Sequence, residues 1–91
     1  LIDAPAVQTF TTGTHRNTVI QGTTVEVTCS ANGYPAPTFT IKRGNKIVNS
    51  TGGRYVIRNI QLKEEDAMYT CEPNNTIGTG AKRELKITVQ G

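Results

Sequence analysis

Tryptophan is absent from this chain, and histidine and methionine occur once each. No apolar stretch approaches the roughly 20 residues that a helix needs to cross a bilayer, and the opening residues lack the pattern of a secretory signal. The lone His15 sits in a polar run. It has neither the base nor the orienting group that nucleophilic catalysis needs beside a nucleophile. The densest acidic cluster, Glu64-Glu65-Asp66, reads as a solvated corner. Consecutive residues at a turn point apart, and no His or Cys joins them to hold a metal. Gly78 and Gly80 lie in turn-like sequence with no helix after them, which argues against a phosphate loop. The net charge of +3 is mild. Its cations are dispersed, with no dense basic run interleaved with aromatics, so a nucleic-acid interface is not expected. Neither catalysis nor a cofactor is expected.

What the chain does carry is two cysteines, Cys29 and Cys71. Each lies in a stretch that alternates apolar and polar residues: Val25, Val27, Cys29 and Ala31 share one parity, as do Ala67, Tyr69 and Cys71. Such alternation places one set of side chains on the buried face of a strand. Two strands far apart in sequence are therefore expected to face each other across a core, close enough for a disulfide, which needs Cα atoms within about 7 Å. The alternative is a pair of buried thiols in a cytosolic protein. In a 91-residue chain, expected to be one domain over 1–91, little surface is buried and a covalent staple matters. Closing this loop is worth about 4 kcal/mol on a chain-entropy account, and it implies an oxidising compartment. Two Asn-x-Ser/Thr sequons in turn-like sequence, at Asn49 and Asn74, point the same way.

Thr, Val, Gly, Pro and Asn dominate the punctuation, and the whole chain reads as strands and turns. Residues 1–13 form an extended lead-in, and Asn17–Ile20 a short strand. Thr23–Ala31 is a strong alternating strand, and residues 32–37 form a loop with two prolines. Thr38–Arg43 follows with Phe39 and Ile41 inward, then a Gly44-Asn45 turn into Lys46–Val48. Residues 54–62 resist a single register. Tyr55 and Ile57 share one parity and Ile60 and Leu62 the other, so either a bulge resets the register or a turn at Arg58-Asn59 separates two short strands. Lys63–Asp66 is a polar corner or one short helical turn, Ala67–Asn74 the strand of the second cysteine, Asn75–Gly80 a hairpin turn, and Arg83–Gln90 the closing strand. Short strands at regular spacing argue for an all-β sandwich.

The run Gly22-x-x-Val25-x-Val27-x-Cys29, then Ala31-x-Gly33-x-Pro35-x-Pro37, then Tyr69-x-Cys71-x-x-x-Asn75-x-x-Gly78 resembles an immunoglobulin domain of the I-set type. The resemblance extends from about Gly22 to Val89. It implies a β-sandwich of two antiparallel sheets with Greek-key connections, about seven or eight strands, and one inter-sheet disulfide, with Cys29 on strand B and Cys71 on strand F. It makes Tyr69 the tyrosine-corner residue, with its hydroxyl bonded to the main chain upstream. Two departures stand out. The family's core tryptophan falls at Ile41, with Phe39 on the same parity. The family's Asp-x-Gly-x-Tyr-x-Cys reads Glu65-Asp66-Ala67-Met68-Tyr69-Thr70-Cys71 here, with Glu65 in the aspartate's place or else Asp66 serving and the glycine missing. An ion pair from this acidic corner to Arg54 is expected.

With no chemistry to assign, function is expected in a surface. On the sheet of strands C, F and G, parity sends Thr38, Thr40, Lys42, Met68, Thr70, Glu72, Lys86 and Thr88 outward. The candidate partner-binding residues are Thr40, Lys42, Met68, Thr70 and Lys86, and Met68 is the one sizeable apolar side chain there. The resemblance implies a recognition module of a cell-surface adhesion molecule or receptor. Such a module is extracellular, one of several in a membrane-anchored or secreted parent, and binds a protein or another copy of itself. Alternatives are a sulfated-glycan site using Lys42, Lys82 and Lys86, and a spacer or muscle-type scaffold domain. A glycan at Asn74, at the end of that face, would move binding to the opposite sheet or the loop tips.

Overall fold

The computed structural model describes residues 3–91; Leu1 and Ile2, the start of the expected lead-in, lie outside the described residues. Ten strands are formed among them: β1 (Asp3–Thr11), β2 (Thr18–Ile20), β3 (Val25–Tyr34), β4 (Thr38–Arg43), β5 (Lys46–Ile47), β6 (Arg54–Ile57), β7 (Met68–Asn75), β8 (Gly78–Thr79), β9 (Arg83–Lys86) and β10 (Thr88–Gln90). One sheet has the order β1-β3-β6. The larger runs β5-β4-β7, and β8 and β9 both pair with β7. β10 pairs in parallel with β2; the other ladders are antiparallel.

The alternation around the cysteines is realised as expected. Val25, Val27 and Cys29 of β3 point inward while Glu26, Thr28 and Ser30 point out. Tyr69 and Cys71 of β7 meet them across the core. The cysteines, 42 positions apart, are joined by a disulfide that links the two sheets, with Cα atoms 6.5 Å apart. No free cysteine remains among the described residues. Leu85, Ile87 and Val89 are buried, as their parity requires.

Ile41 fills the tryptophan position. It is fully buried and stands directly opposite Cys71 in the β4–β7 ladder. The missing ring is partly replaced by Phe39, which lies against the same core. Room for Phe39 comes from Gly53, at φ +84°, where a Cβ would come within 3.2 Å of the ring and 2.5 Å of the Cys29 carbonyl oxygen.

Several expectations are corrected. The lead-in is a sheet strand: β1 pairs with β3 from Asp3 to Thr11, with two register shifts. The residues it leans on, Asn32, Gly33 and Tyr34, therefore belong to β3 and not to the following loop. Pro5, which has no N–H to give a ladder, falls inside the first shift. It lies so close to Gly80 that a Cβ there would overlap its carbonyl. Of the two readings of residues 54–62, the turn at Arg58-Asn59 is found, but only the first of its two strands forms. β6 ends at Ile57, and a turn with Asn59 at φ +52° rotates the chain so that Ile60 is buried outside any strand. Leu62, freed of the register, is 49% exposed. The closing strand breaks after Lys86, because β9 belongs to β7 and β10 to β2. The Asn74 sequon, read as turn-like, starts inside the strand of the second cysteine: Asn74 lies in β7 between Thr38 and Thr79.

Candidate functional site

The acidic corner makes the ion pair expected of it, with a different cation, and adds hydrogen bonds to two further strands. Leu62–Asp66 forms a short 3-10 turn. From it both carboxylate oxygens of Glu64 share the single Arg43 Nε–H, at 3.1 and 3.0 Å, and Oε1 also accepts the Tyr69 hydroxyl at 3.3 Å. Glu65 Oε1 accepts the Val89 N–H at 3.0 Å. Two corrections follow. The Tyr69 hydroxyl bonds a carboxylate five residues upstream, not the main chain that the resemblance implied. The corner's cation is Arg43, not Arg54, which instead pairs with Glu26 at 2.6 Å on the outer face of the other sheet. The reason is position: Arg43 faces Tyr69 in the β4–β7 ladder, whereas Arg54 enters the smaller sheet beside β3. Burial, then the nearby Glu64 charge, push the Tyr69 hydroxyl up to about 12, against the pull of Arg43. Among the described residues no cluster of His, Cys, Asp and Glu suits a metal ion, and no helix is long and apolar enough to cross a membrane.

The outer face of the larger sheet is built as a lattice by register. One row runs Lys42, Thr70, Glu84 across β4, β7 and β9. The row on one side places Thr40 opposite Glu72, with Lys82 just before β9. The row on the other side places Met68 opposite Lys86, with Gly44 bonded to the Met68 carbonyl at 2.8 Å. Small side chains at Thr40 and Thr70 and the bare Gly44 leave a depression of about 350 Å³, walled by Lys42, Glu72, Lys82 and Glu84. None of these four charged side chains, nor Lys86, has an ion-pair partner within the chain among the described residues.

Of the candidate partner-binding residues, Thr40, Lys42, Met68 and Thr70 all line this depression, and Lys86 stands beside Met68 outside it. Glu84 was missed, although the alternation Lys82, Glu84, Lys86 already sends it outward. Asn74 is exposed further along the same column of β7. Asn49 is exposed after β5. His15 lies in an exposed 3-10 turn.

The profile of the immunoglobulin domain family matches residues 7–89. Lachesin of Schistocerca americana is 34% identical over 77 residues, which cover 79% of this chain and 22% of that protein. Human vascular cell adhesion protein 1 is 34% identical over 77 residues, covering 80% of this chain and 10% of its own length. Among solved structures, the Sidekick-1 immunoglobulin domains 1–5 superpose with a TM-score of 0.77 at 27% identity, over 98% of this chain and 20% of that one. The chain thus spans about a fifth of the length of Lachesin.

Proposed function

From the premise that this chain belongs to the immunoglobulin domain family, whose members are non-enzymatic adhesion and structural modules, we propose that it is an extracellular recognition module of a cell-surface adhesion molecule or receptor. It binds a protein through the outer face of β4, β7 and β9. The inter-sheet disulfide supports an oxidising compartment. Relatives that include a vascular cell adhesion protein support the adhesion role. Their greater length supports one module among several.

The observation that carries this reading is the dished face with its unpaired charges of both signs. Charges left without internal partners favour specificity and rate of encounter once a partner supplies the complement. Mixed sign also weighs against the sulfated-glycan alternative: Lys42, Lys82 and Lys86 share the face, but Glu72 and Glu84 stand between them and repel a polyanion. The test is cell-surface binding of the labelled chain. Thr70→Arg, at the floor of the depression, is expected to weaken binding at least roughly tenfold, and Glu26→Arg, on the opposite sheet, to leave it unchanged. Equal binding by both variants would refute the reading. Tight, salt-sensitive retention on heparin that is lost on Lys82→Glu would favour the glycan instead.

A further inference from the structure

The lattice on the larger sheet is complementary to itself. Lys42 and Glu84 flank Thr70 symmetrically, one strand to either side of β7. With strands spaced about 4.8 Å apart, the two columns stand about 10 Å from each other. Turn a second copy face to face about a twofold axis that lies in the interface and runs along β7. The left and right columns then exchange, while the β7 column meets itself. Lys42 of each copy falls opposite Glu84 of the other, so two ion pairs form at once, as an isologous contact requires. Thr70 meets Thr70, and Met68 meets Met68. Glu72 meets its own copy, with its own Lys82 one strand spacing away on one side and Lys82 of the second copy, arriving over Thr40, at the same spacing on the other. An axis perpendicular to the strands fails on the same lattice, because it sets Lys82 against Lys86. The axis along the strands also suits the aligned packing of twisted sheets.

We propose that this face binds the same face of a second copy of the chain, through reciprocal Lys42–Glu84 pairs about a twofold axis parallel to β7. The proposal rests on the reading of this face as the binding surface and names its partner. It also assigns a consequence to Asn74. That residue lies on the β7 column beyond Glu72, so a glycan on it would meet its own copy on the axis and keep the two faces apart.

The test is sedimentation equilibrium of the disulfide-bonded chain made without glycans. Wild type is expected to form a reversible dimer that weakens with added salt. Lys42→Glu and Glu84→Lys, each alone, turn both pairs into repulsions and are expected to weaken it at least roughly tenfold. Mixing the two variants in equal amounts restores both pairs and is expected to return dimer to at least the wild-type level, at unchanged thermal midpoints. A monomeric wild type at millimolar concentration, or a mixture no better than its components, overturns the proposal. Loss of self-pairing is distinct from loss of the face. If wild type stays monomeric yet binds cells that lack the chain, and Thr70→Arg abolishes that binding, the face stands and its partner is a different protein. If Thr70→Arg changes neither self-association nor cell binding, the face itself is wrong.

Discussion

On the outer face of the three-stranded sheet, Arg54 reaches Glu26 at 2.6 Å, and the hydroxyls of Thr9 and Ser30 share a hydrogen bond at 2.5 Å. On the outer face of the larger sheet, Lys42, Glu72, Lys82 and Glu84 look into the same solvent with no ion-pair partner among the described residues. Both faces are strands with alternating side chains, and both carry charges of both signs. The difference is in which charges close a pair. In the small sheet, opposite charges fall diagonally across neighbouring strands, Arg54 beside Thr28 and Glu26 beside Val56, within reach of each other. In the larger sheet Thr70 separates Lys42 from Glu84, and Glu72, diagonal to Lys42 and in line with Lys82, closes an ion pair with neither. One face pairs its own charges, and the other leaves its charges unpaired among the described residues.

The largest change removes what both faces stand on. Cys29→Ala with Cys71→Ala takes about 4 kcal/mol from a fold of this size, and Ile41 supplies less packing around the site than an indole would. The isolated chain is expected to be largely unfolded at about 37 °C. Circular dichroism melting checks this, and a cooperative native-like melt well above that temperature would refute it.

Next is the buried tyrosine between the faces. Burial, then the Glu64 charge, pushes the Tyr69 hydroxyl up to about 12, above the ordinary tyrosine value of about 10. Because the folded value is the higher one, its contribution is complete below pH 10 and drains away as the pH rises towards 12. The expected loss is about 2–3 kcal/mol over that window. Denaturant unfolding at pH 9 and near pH 12, for wild type and Tyr69→Phe, measures it. The phenylalanine variant should show the smaller fall, and equal falls would sink the assignment.

The comparison itself is broken by exchanging the roles of the faces. Met68→Arg, on the unpaired face, is expected to lower partner binding about tenfold while moving stability by less than about 0.5 kcal/mol; titration by surface plasmon resonance, with a melt alongside, reads both. The smallest effect belongs to the paired face. Arg54 and Glu26 are 59% and 50% exposed, so Arg54→Ala should cost no more than about 1 kcal/mol and leave binding untouched. A binding defect there would place recognition on the wrong sheet.

Much of the fold was legible because burial in a strand repeats every second residue. Val25, Val27 and Cys29, then Tyr69 and Cys71, then Leu85, Ile87 and Val89 announce their inward faces without any partner in view. The same rule marked a break before Ile60 without saying whether a bulge or a turn makes it, and the turn at Asn59 decides it. It failed at β1, whose residues alternate poorly because two register shifts interrupt the ladder. Four of the five candidate binding residues line one depression, since parity alone sends them outward. Glu84 and the dish itself needed the β7–β9 pairing.

By itself the sequence determined an all-β chain, a pair of cysteines on inward-facing strand positions, and which side of each strand meets water. Those properties are local, set by the period of the backbone and the polarity of each side chain. Only the tertiary structure decided which charge stands beside which. Arg54 went to Glu26 and Arg43 to Glu64, Tyr69 bonded a carboxylate instead of the main chain, and Lys42 and Glu84 were held apart across β7. Ion pairs and hydrogen bonds act over a few ångströms, and distances that short are set by strand order and register.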